Sequence, residues 1–372
     1  MKLAYITRVR LPSQSAQSVQ ILSMANSFSR ILGDKFRLIS NSPTCVNQQT
    51  DEYQHVNWLS YKCNSLDVFN TLWFALLAVK VCIRAPDTIV FSRDIVVALF
   101  VVALKRVAVY EAHSEPRTKL SAFLFRLASK SKYLRLVCIS NVLKEYYVAN
   151  YGISEMSALS IHDGVSFNEY LDLLSLSKSE LRSSLGLPLE KLVIAHTGSP
   201  SKGGIDLLAP LLLRDKDKIH FVHVGGTKEA ILQLTQQLLD MGVSNIDFRE
   251  HLPRSEVRKI QVAADVLYYG VSKEWSSYWC TSPLKIFEYM ATGVPILATR
   301  FGSISEVLNS SNSYCFDPQS EQSLLSAWDA ICSDSKVSSA RALVAQREAE
   351  QVYSWDSRAQ KILDFISRRS TV

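Results

Sequence analysis

The chain has 372 residues, of which 47 % are apolar and 20 % charged, and a net charge of +6. That length exceeds one ordinary core and suits two domains of roughly 150–200 residues each, and the apolar share is globular, not disordered. The mild positive balance fits acidic small molecules or a membrane surface, and it excludes the dense basic stripe that nucleic-acid binding demands.

From the N-terminus, MKLAYITRVRLP runs straight into a strand pattern with no apolar core of a secretory signal. Short β-branched runs then alternate with helix-period runs. The strand candidates of the first half are LAYIT (3–7), FRLIS (36–40), VNWLS (56–60), TIVFS (88–92), VAVYEA (107–112), LVCIS (136–140) and ALSIH (158–162). A polar, Ser-rich stretch over 171–191, closed by Gly186 and Pro188, reads as a linker region. Beyond it come KLVIAHT (191–197), IHFVHV (219–224), NIDFRE (245–250), DVLYYG (265–270) and PILAT (295–299), and a helical stretch over about 338–369 with Trp355 inside it.

Continuous apolar strands are covered on both faces, which marks parallel sheets flanked by helices. Two such series predict two doubly wound α/β domains facing a central cleft. The boundaries read as 1–170, a linker over 171–191, 192–350, and a C-terminal helix over 351–372 able to pack back on the first domain. Ligands of open parallel sheets sit at the carboxyl ends of the strands.

The seven cysteines, at 45, 63, 82, 138, 280, 315 and 332, show no C-x-x-C spacing. They predict reduced thiols in a cytosol, with no metal site. The apolar stretch 66–85 is broken by Asp67, Asn70, Lys80 and Arg84, and IVVALFVVAL (95–104) is too short to span a bilayer. Residues 117–135, RTKLSAFLFRLASKSKYLR, carry six basic and no acidic residues. A helix of that composition can lie on anionic lipid or present a basic face to water.

The stretch SPLKIFEYMATGVPILATRFG (282–302) carries the most chemistry. Ser282 is placed to cap a helix with Pro283 at its first position. The free amides and dipole of that first turn favour an anion, and Lys285 adds a full charge. Glu288 would repel a phosphate, so it suits the hydroxyls of a ribose. Phosphate and sugar together imply a nucleotide. The turn TGSPSKGG (197–204) lets backbone approach a ligand and brings Lys202 toward a diphosphate, without being a P-loop. Gly225 in VHVGGT (222–227), and His251 with Leu252 after NIDFRE, follow strands where a base can lie against main chain. In the first half, Arg93, Glu111, His113 and Asp163 stand at strand ends that open on the predicted cleft. His113 can position a sugar hydroxyl or accept a proton, while structural pairing is the simplest account of Arg93.

SPLKIFEYMATGVPILAT (282–299) resembles the signature of the family 4 glycosyltransferases, retaining enzymes of GT-B fold. PSQSAQSVQILSMANSF (12–28), FSRD (91–94), VYEAH (109–113), LVCISNVLKEYY (136–147), IHDGV (161–165), TGSPSKGGIDLL (197–208) and ADVLYY (264–269) support it in the same order, over roughly residues 1–330. The resemblance implies a UDP- or GDP-sugar donor held mainly by the C-terminal domain and a glycan or glycolipid acceptor on the N-terminal one. It implies no cofactor, no metal, and a cytoplasmic setting, with residues 117–135 able to touch a membrane. Bacterial surface-polysaccharide synthesis is the common setting.

Carried over, Glu288 resembles the ribose-binding glutamate, Lys202 the diphosphate-binding lysine and His113 the histidine on the transferred sugar. The positions Gly198, Ser199, Cys280, Thr281, Ser282, Pro283, Leu284 and Lys285 then surround the donor. Two departures stand out. Cys280 occupies the place where many members carry a second glutamate, and Ser199 the place of a common arginine. The KGG turn is also one residue short. The alternative reading is a catalytically silent nucleotide-sugar-binding protein or partner subunit. A nicotinamide dehydrogenase is disfavoured because TRVRLPSQSAQ (7–17) contains no glycine, and a sugar-nucleotide epimerase is a further option.

Overall fold

The computed structural model describes residues 1–13, 15–42, 53–62, 67–244, 246–271 and 277–368. Cys45, Cys63, Leu66 and Asn245, which figure in the expectations above, lie outside them. The chain divides into two compact units, residues 1–163 with 355–372, and residues 164–354.

The first unit contains β1 (Lys2–Arg10), α1 (Ala16–Leu32), β2 (Phe36–Asn41), β3 (Trp58–Tyr61), α2 (Asp67–Arg84) and β4 (Thr88–Ser92). It continues with α3 (Ile95–Ala103), β5 (Ala108–Ala112), α4 (Lys119–Ser129), β6 (Leu134–Cys138), α5 (Asn141–Tyr151) and β7 (Ala158–Ser160). The strands form a parallel sheet in the order β3-β2-β1-β4-β5-β6-β7. The order reverses between β1 and β4, which is the switch point of a doubly wound sheet.

Residues 117–135, expected as one basic helix, are divided. A Thr118–Ser121 capping box starts α4, which ends at Ser129, and residues from Leu134 onward join the sheet. Arg135 is buried there and donates to the carbonyls of Lys132 and Leu134, at 2.9 and 3.1 Å. The basic helix is therefore shorter than its charge run.

The second unit begins with α6 (Leu171–Leu174) and α7 (Lys178–Leu185). These occupy the expected linker region. A second capping box, Ser177 with Glu180, starts α7, Gly186 ends it, and the helix packs on the later helix Arg254–Ala263. Then follow β8 (Leu192–Thr197), α8 (Ala209–Arg214), β9 (Ile219–Val224), α9 (Lys228–Asp240), β10 (Ile246–Arg249), α10 (Arg254–Ala263) and β11 (Val266–Tyr269). The unit closes with α11 (Leu284–Ala291), β12 (Ile296–Thr299), β13 (Tyr314–Phe316), α12 (Glu321–Ser333) and α13 (Ser335–Gln351). The order is β10-β9-β8-β11-β12-β13, again all parallel, with the reversal between β8 and β11. The short edge strand β13 has no counterpart among the expected strands.

Side-chain alternation along these strands feeds two separate apolar layers. Val193, Ala195, Leu267 and Ile296 point to a layer with Ile260, Phe287 and Ala345, whereas Ile194, Tyr268 and Leu297 join Leu211, Leu238 and Trp328. Each fully buried aliphatic side chain contributes roughly 1.5–3 kcal/mol.

The chain ends on α14 (Trp355–Ser367), which belongs to the first unit and packs on α1. Ile362, Leu363 and Phe365 bury its apolar stripe, and Asp356 pairs with Arg30 at 2.6 Å. Cys82, Cys138, Cys280, Cys315 and Cys332 form no disulfide. Among the described residues no helix is long and apolar enough to cross a membrane.

Candidate functional site

The carboxyl end of the second unit's sheet gathers most of the predicted donor residues. Register pairs Thr197 of β8 with Val224 of β9, so Gly198 and Gly225 leave their strands side by side. Gly198 donates to the Val224 carbonyl at 2.8 Å, and Gly225 to that of Arg249 at 2.9 Å. Gly198 has φ +111°, and a Cβ there would lie 2.8 Å from Lys285 Nζ. Only glycine lets the α11 lysine come so close to the β8 turn.

Tyr289, one turn further along α11, fixes that approach. Its hydroxyl accepts from the Thr197 amide at 2.8 Å. Lys285 Nζ stands 3.2 Å from His196 Nε2 and 5.6 Å from the centroid of the Tyr269 ring. Burial lowers the Lys285 pKa to about 8, with Glu288 opposing and nearby Lys202 reinforcing the shift. An ammonium so poised gains from any anion that arrives.

The start of α11 differs from expectation. Pro283, in extended backbone, is itself the N-cap, Leu284 opens the helix, and no side chain caps it. Ser282 is buried one residue earlier. The N-cap residue thus supplies no side-chain acceptor to the first-turn amides. Upstream, Ser303 Oγ donates to the Thr281 carbonyl at 2.5 Å and pins the approach to the helix. Cys280 is fully buried, its thiol 3.8 Å from the Ser277 carbonyl, so its side chain lines core and not an open surface.

Glu288 is anchored rather than loose. Its Oε1 accepts from Arg254 Nη2 at 3.0 Å and its Oε2 from Gln261 Nε2 at 3.5 Å. Gln261, wholly buried, also donates to Thr197 Oγ1 at 3.2 Å and accepts from the Tyr170 hydroxyl at 3.0 Å. The carboxylate keeps 20 % of its surface exposed, enough to accept from a ligand hydroxyl. Neither Arg254 nor Gln261 is evident from sequence, because both act only through the packing of α10 on β8.

Around this cluster, Lys202 ends a 3₁₀ turn over Pro200–Lys202 and is exposed, as are Ser199 and His251. Leu252 packs against the core. The structure therefore brings Gly198, Gly225 and Lys285 together through close approach, links Glu288 to Thr197 of the same turn through Gln261, and places Lys202 close enough to perturb Lys285. Among the described residues no hydrogen bond or ion pair joins His251 to them.

The first unit's strand ends carry a different arrangement. Glu111, wholly buried, receives Arg93 Nε at 2.5 Å and His113 Nε2 at 3.1 Å on one oxygen, and Arg358 Nη2 at 2.8 Å on the other. Burial alone would raise its pKa, but Arg93, Arg358 and His113 outweigh it and hold it well below the usual range. Asp163, equally buried, accepts from Gln20 Nε2 at 2.6 Å and lies 3.7 Å from Arg358. Arg93 also donates to Gln20 Oε1 at 3.0 Å. Both carboxylates are buried and face cations inside the protein, and Glu111 Oε1, although 2.8 Å from Arg358, makes no hydrogen bond. His113 keeps 25 % of its side chain exposed. Because the ionised Glu111 only accepts, Nε2 carries the hydrogen and Nδ1 is left as an acceptor. Burial, then Arg93, lowers the His113 pKa.

Residues 193–334, inside the second unit, match the family model described as "Glycosyl transferases group 1". A curated relative, the D-inositol 3-phosphate glycosyltransferase of Corynebacterium urealyticum, is 29 % identical over 195 residues, 49 % of this chain and 44 % of the relative. The match thus spans less than half the length of that relative. Among solved structures, HepE of Anabaena in complex with UDP has a TM-score of 0.73 at 17 % identity, covering 99 % of this chain and 100 % of that one. A glycosyltransferase from Rickettsia africae has a TM-score of 0.76 at 17 % identity, covering 99 % of each chain. Likeness at this identity carries the fold: two Rossmann-like parallel-sheet domains of GT-B type, as the sequence implied.

Proposed function

We propose that the chain is a retaining glycosyltransferase, of the family 4 kind, that moves a hexosyl group from a UDP- or GDP-sugar to a hydroxyl of a glycan or glycolipid. The observation that carries the reading is the ammonium of Lys285 held against the Gly198 turn, beside Lys202 and at the start of α11. That cluster suits a diphosphate, and Glu288 one turn away suits a ribose. The family match covers this unit, and the HepE structure carries UDP.

In the proposed reaction the acceptor hydroxyl attacks the anomeric carbon on the face the diphosphate leaves. The bond from that carbon to the diphosphate oxygen breaks, and the hydroxyl proton passes to the departing phosphate. Lys202, Lys285 and the amides over 282–285 stabilise the charge that develops on the diphosphate, the largest usual contribution to such a rate. No cofactor or metal enters this scheme. His113, neutral and with Nδ1 accepting, is assigned to a sugar hydroxyl, and Arg93, Glu111 and Asp163 hold it in place.

We assign the acceptor to surface-polysaccharide synthesis at the inner face of a bacterial membrane. Exposed Leu120, Phe123 and Leu127 on α4, beside Lys119 and Arg126, support contact with anionic lipid. Exposed Phe69, Leu72, Trp73, Leu76 and Ile83 on α2 do likewise, and both helices pack on α3.

A panel of UDP- and GDP-hexoses with and without glycan acceptors tests the reading. Transfer with retained anomeric configuration supports it. Binding without turnover would favour the silent-protein alternative, which rests on Ser199 and the buried Cys280.

A further inference from the structure

Two buried histidines that the proposed reaction does not use join Lys285 in a single chain of hydrogen bonds. His223 Nε2 lies 2.8 Å from the Gly225 carbonyl, His223 Nδ1 lies 2.8 Å from His196 Nδ1, and His196 Nε2 lies 3.2 Å from Lys285 Nζ. Both histidines are wholly buried, with nearly parallel rings at 15°.

Chemistry fixes the protons of this chain. A carbonyl only accepts, so His223 Nε2 carries a hydrogen. Two ring nitrogens 2.8 Å apart share one hydrogen between them. With His223 neutral, its Nδ1 accepts and His196 Nδ1 donates. His196 Nε2 is then left as an acceptor, facing an ammonium that only donates. Burial and the neighbouring Lys285 charge keep both imidazoles neutral, lowering His223 to about 4 and His196 well below its ordinary value. The turn closes over this chain, since a Cβ on Gly203 would lie 2.7 Å from His196 Nε2.

Resting on the nucleotide-sugar reading, we infer that His196 and His223 are positioning residues for diphosphate recognition. They anchor one N–H of Lys285 so that its charge is aimed at the Gly198 turn, supplying the cation that Ser199 does not. The other groups that bear on Lys285 are Glu288 on its own helix, Lys202 on the β8 turn and the Tyr269 ring on β11. Of these Lys202 is a like charge and Glu288 is already bonded to Arg254 and Gln261. The ammonium is therefore the part of the cluster with charge to spare for an incoming anion.

The test titrates the full-length chain with UDP, GDP, UMP and GMP at pH 8, in buffers of different ionisation heat. The nucleotide diphosphate that binds is expected to exceed its monophosphate by about tenfold or more, and to take up protons as Lys285 becomes fully charged. Lys285→Met should weaken the diphosphate about 10–100-fold, change the monophosphate by about twofold or less, and abolish proton uptake. His196→Leu should weaken the diphosphate about 5–30-fold, and His196→Gln, which keeps an acceptor for the lysine, should return it to within about threefold of wild type. Should His196→Leu fail to fold, the Lys285→Met and His196→Gln pair carries the comparison. Equal diphosphate binding by a folded His196→Leu and wild type, or equal losses for mono- and diphosphate, overturns the inference alone. Wild-type protein that binds neither diphosphate overturns the nucleotide-sugar reading, and this inference with it.

Discussion

The two units repeat one topology, with the sheet order reversing at β1/β4 in the first and β8/β11 in the second, yet their strand ends are built to opposite electrostatic designs. In the first, two carboxylates, two guanidinium groups and a histidine pair charge against charge in a closed, buried cluster, in which Glu111 Oε1, Arg93 Nη2 and both Arg358 Nη atoms make no hydrogen bond. In the second, neutral imidazoles hold a half-buried ammonium that has no full counter-charge bonded to it among the described residues. The first design is a brace, because each charge faces an opposite one inside the protein. The second leaves its ammonium without a bonded counter-charge among the described residues, which the proposed diphosphate would supply. Topology supplies the place for a ligand, and the side chains decide whether that place is a brace or a receptor.

The largest effect should come from breaking the brace. Arg358 is buried against Glu111 and Asp163 and donates to the His162 carbonyl at 2.9 Å. Arg358→Met leaves two buried carboxylates short of a partner and should cost about 3–5 kcal/mol of stability, read by denaturant unfolding. A loss below about 1 kcal/mol would mean that the cluster is not closed as described.

Next is Glu288→Ala. Its partner Arg254 is half exposed, so the pair contributes little to folding. Donor-dependent turnover should fall about 100-fold while the melting temperature stays near that of wild type. Wild-type-like transfer would remove Glu288 from the donor site.

The histidines sharpen the contrast through pH. His113, His196 and His223 all have pKa values below the unfolded value of 6.5 in the folded state. Below that value the unfolded chain binds protons that the folded chain does not, so stability falls as pH drops from 6.5 toward 5. The depressed carboxylates Glu111 and Asp247 titrate when unfolded at 4.5 and 3.8, so their stabilisation is intact between pH 6.5 and 5 and is lost only at lower pH. Each histidine costs up to about 1.4 kcal/mol per pH unit in this window. A melting temperature flat between pH 6.5 and 5 would contradict the neutral relay.

The smallest effect on the fold concerns the outer face of α4. Phe123→Ser, at an exposed position, should change stability by about 0.5 kcal/mol or less. Binding to vesicles of anionic phospholipid should nonetheless weaken severalfold, read by co-sedimentation. Unchanged sedimentation would count against the proposed lipid contact of α4.

Much of this was legible in the chain itself. Continuous apolar runs such as KLVIAHT and IHFVHV can be buried only between helical layers, so the parallel sheets followed directly. The three-residue β13 escaped because YCF, flanked by Ser and Asp, carries too little pattern to register. Ser282 was read as a cap from the Ser-Pro pair, but Pro283 takes the cap position and starts the helix one residue later. The linker reading of 171–191 missed that Ser177 and Glu180 make a capping box. His196 and His223 did leave a trace, each standing two residues before the glycine that ends its strand. Their meeting depends on register between β8 and β9, which periodicity does not carry. Arg358 lies 247 positions beyond Glu111 (358 − 111), and no local pattern announces such a pairing.

The most direct measurement is the melting temperature of the intact protein with saturating UDP or GDP, compared with UMP or GMP, in wild type and Lys285→Met. One diphosphate should stabilise the wild type by about 2.7 kcal/mol at a hundredfold excess over its dissociation constant, and most of that gain should vanish when Lys285 is replaced. A diphosphate shift that survives intact in Lys285→Met, or no shift with either nucleotide, would contradict the account.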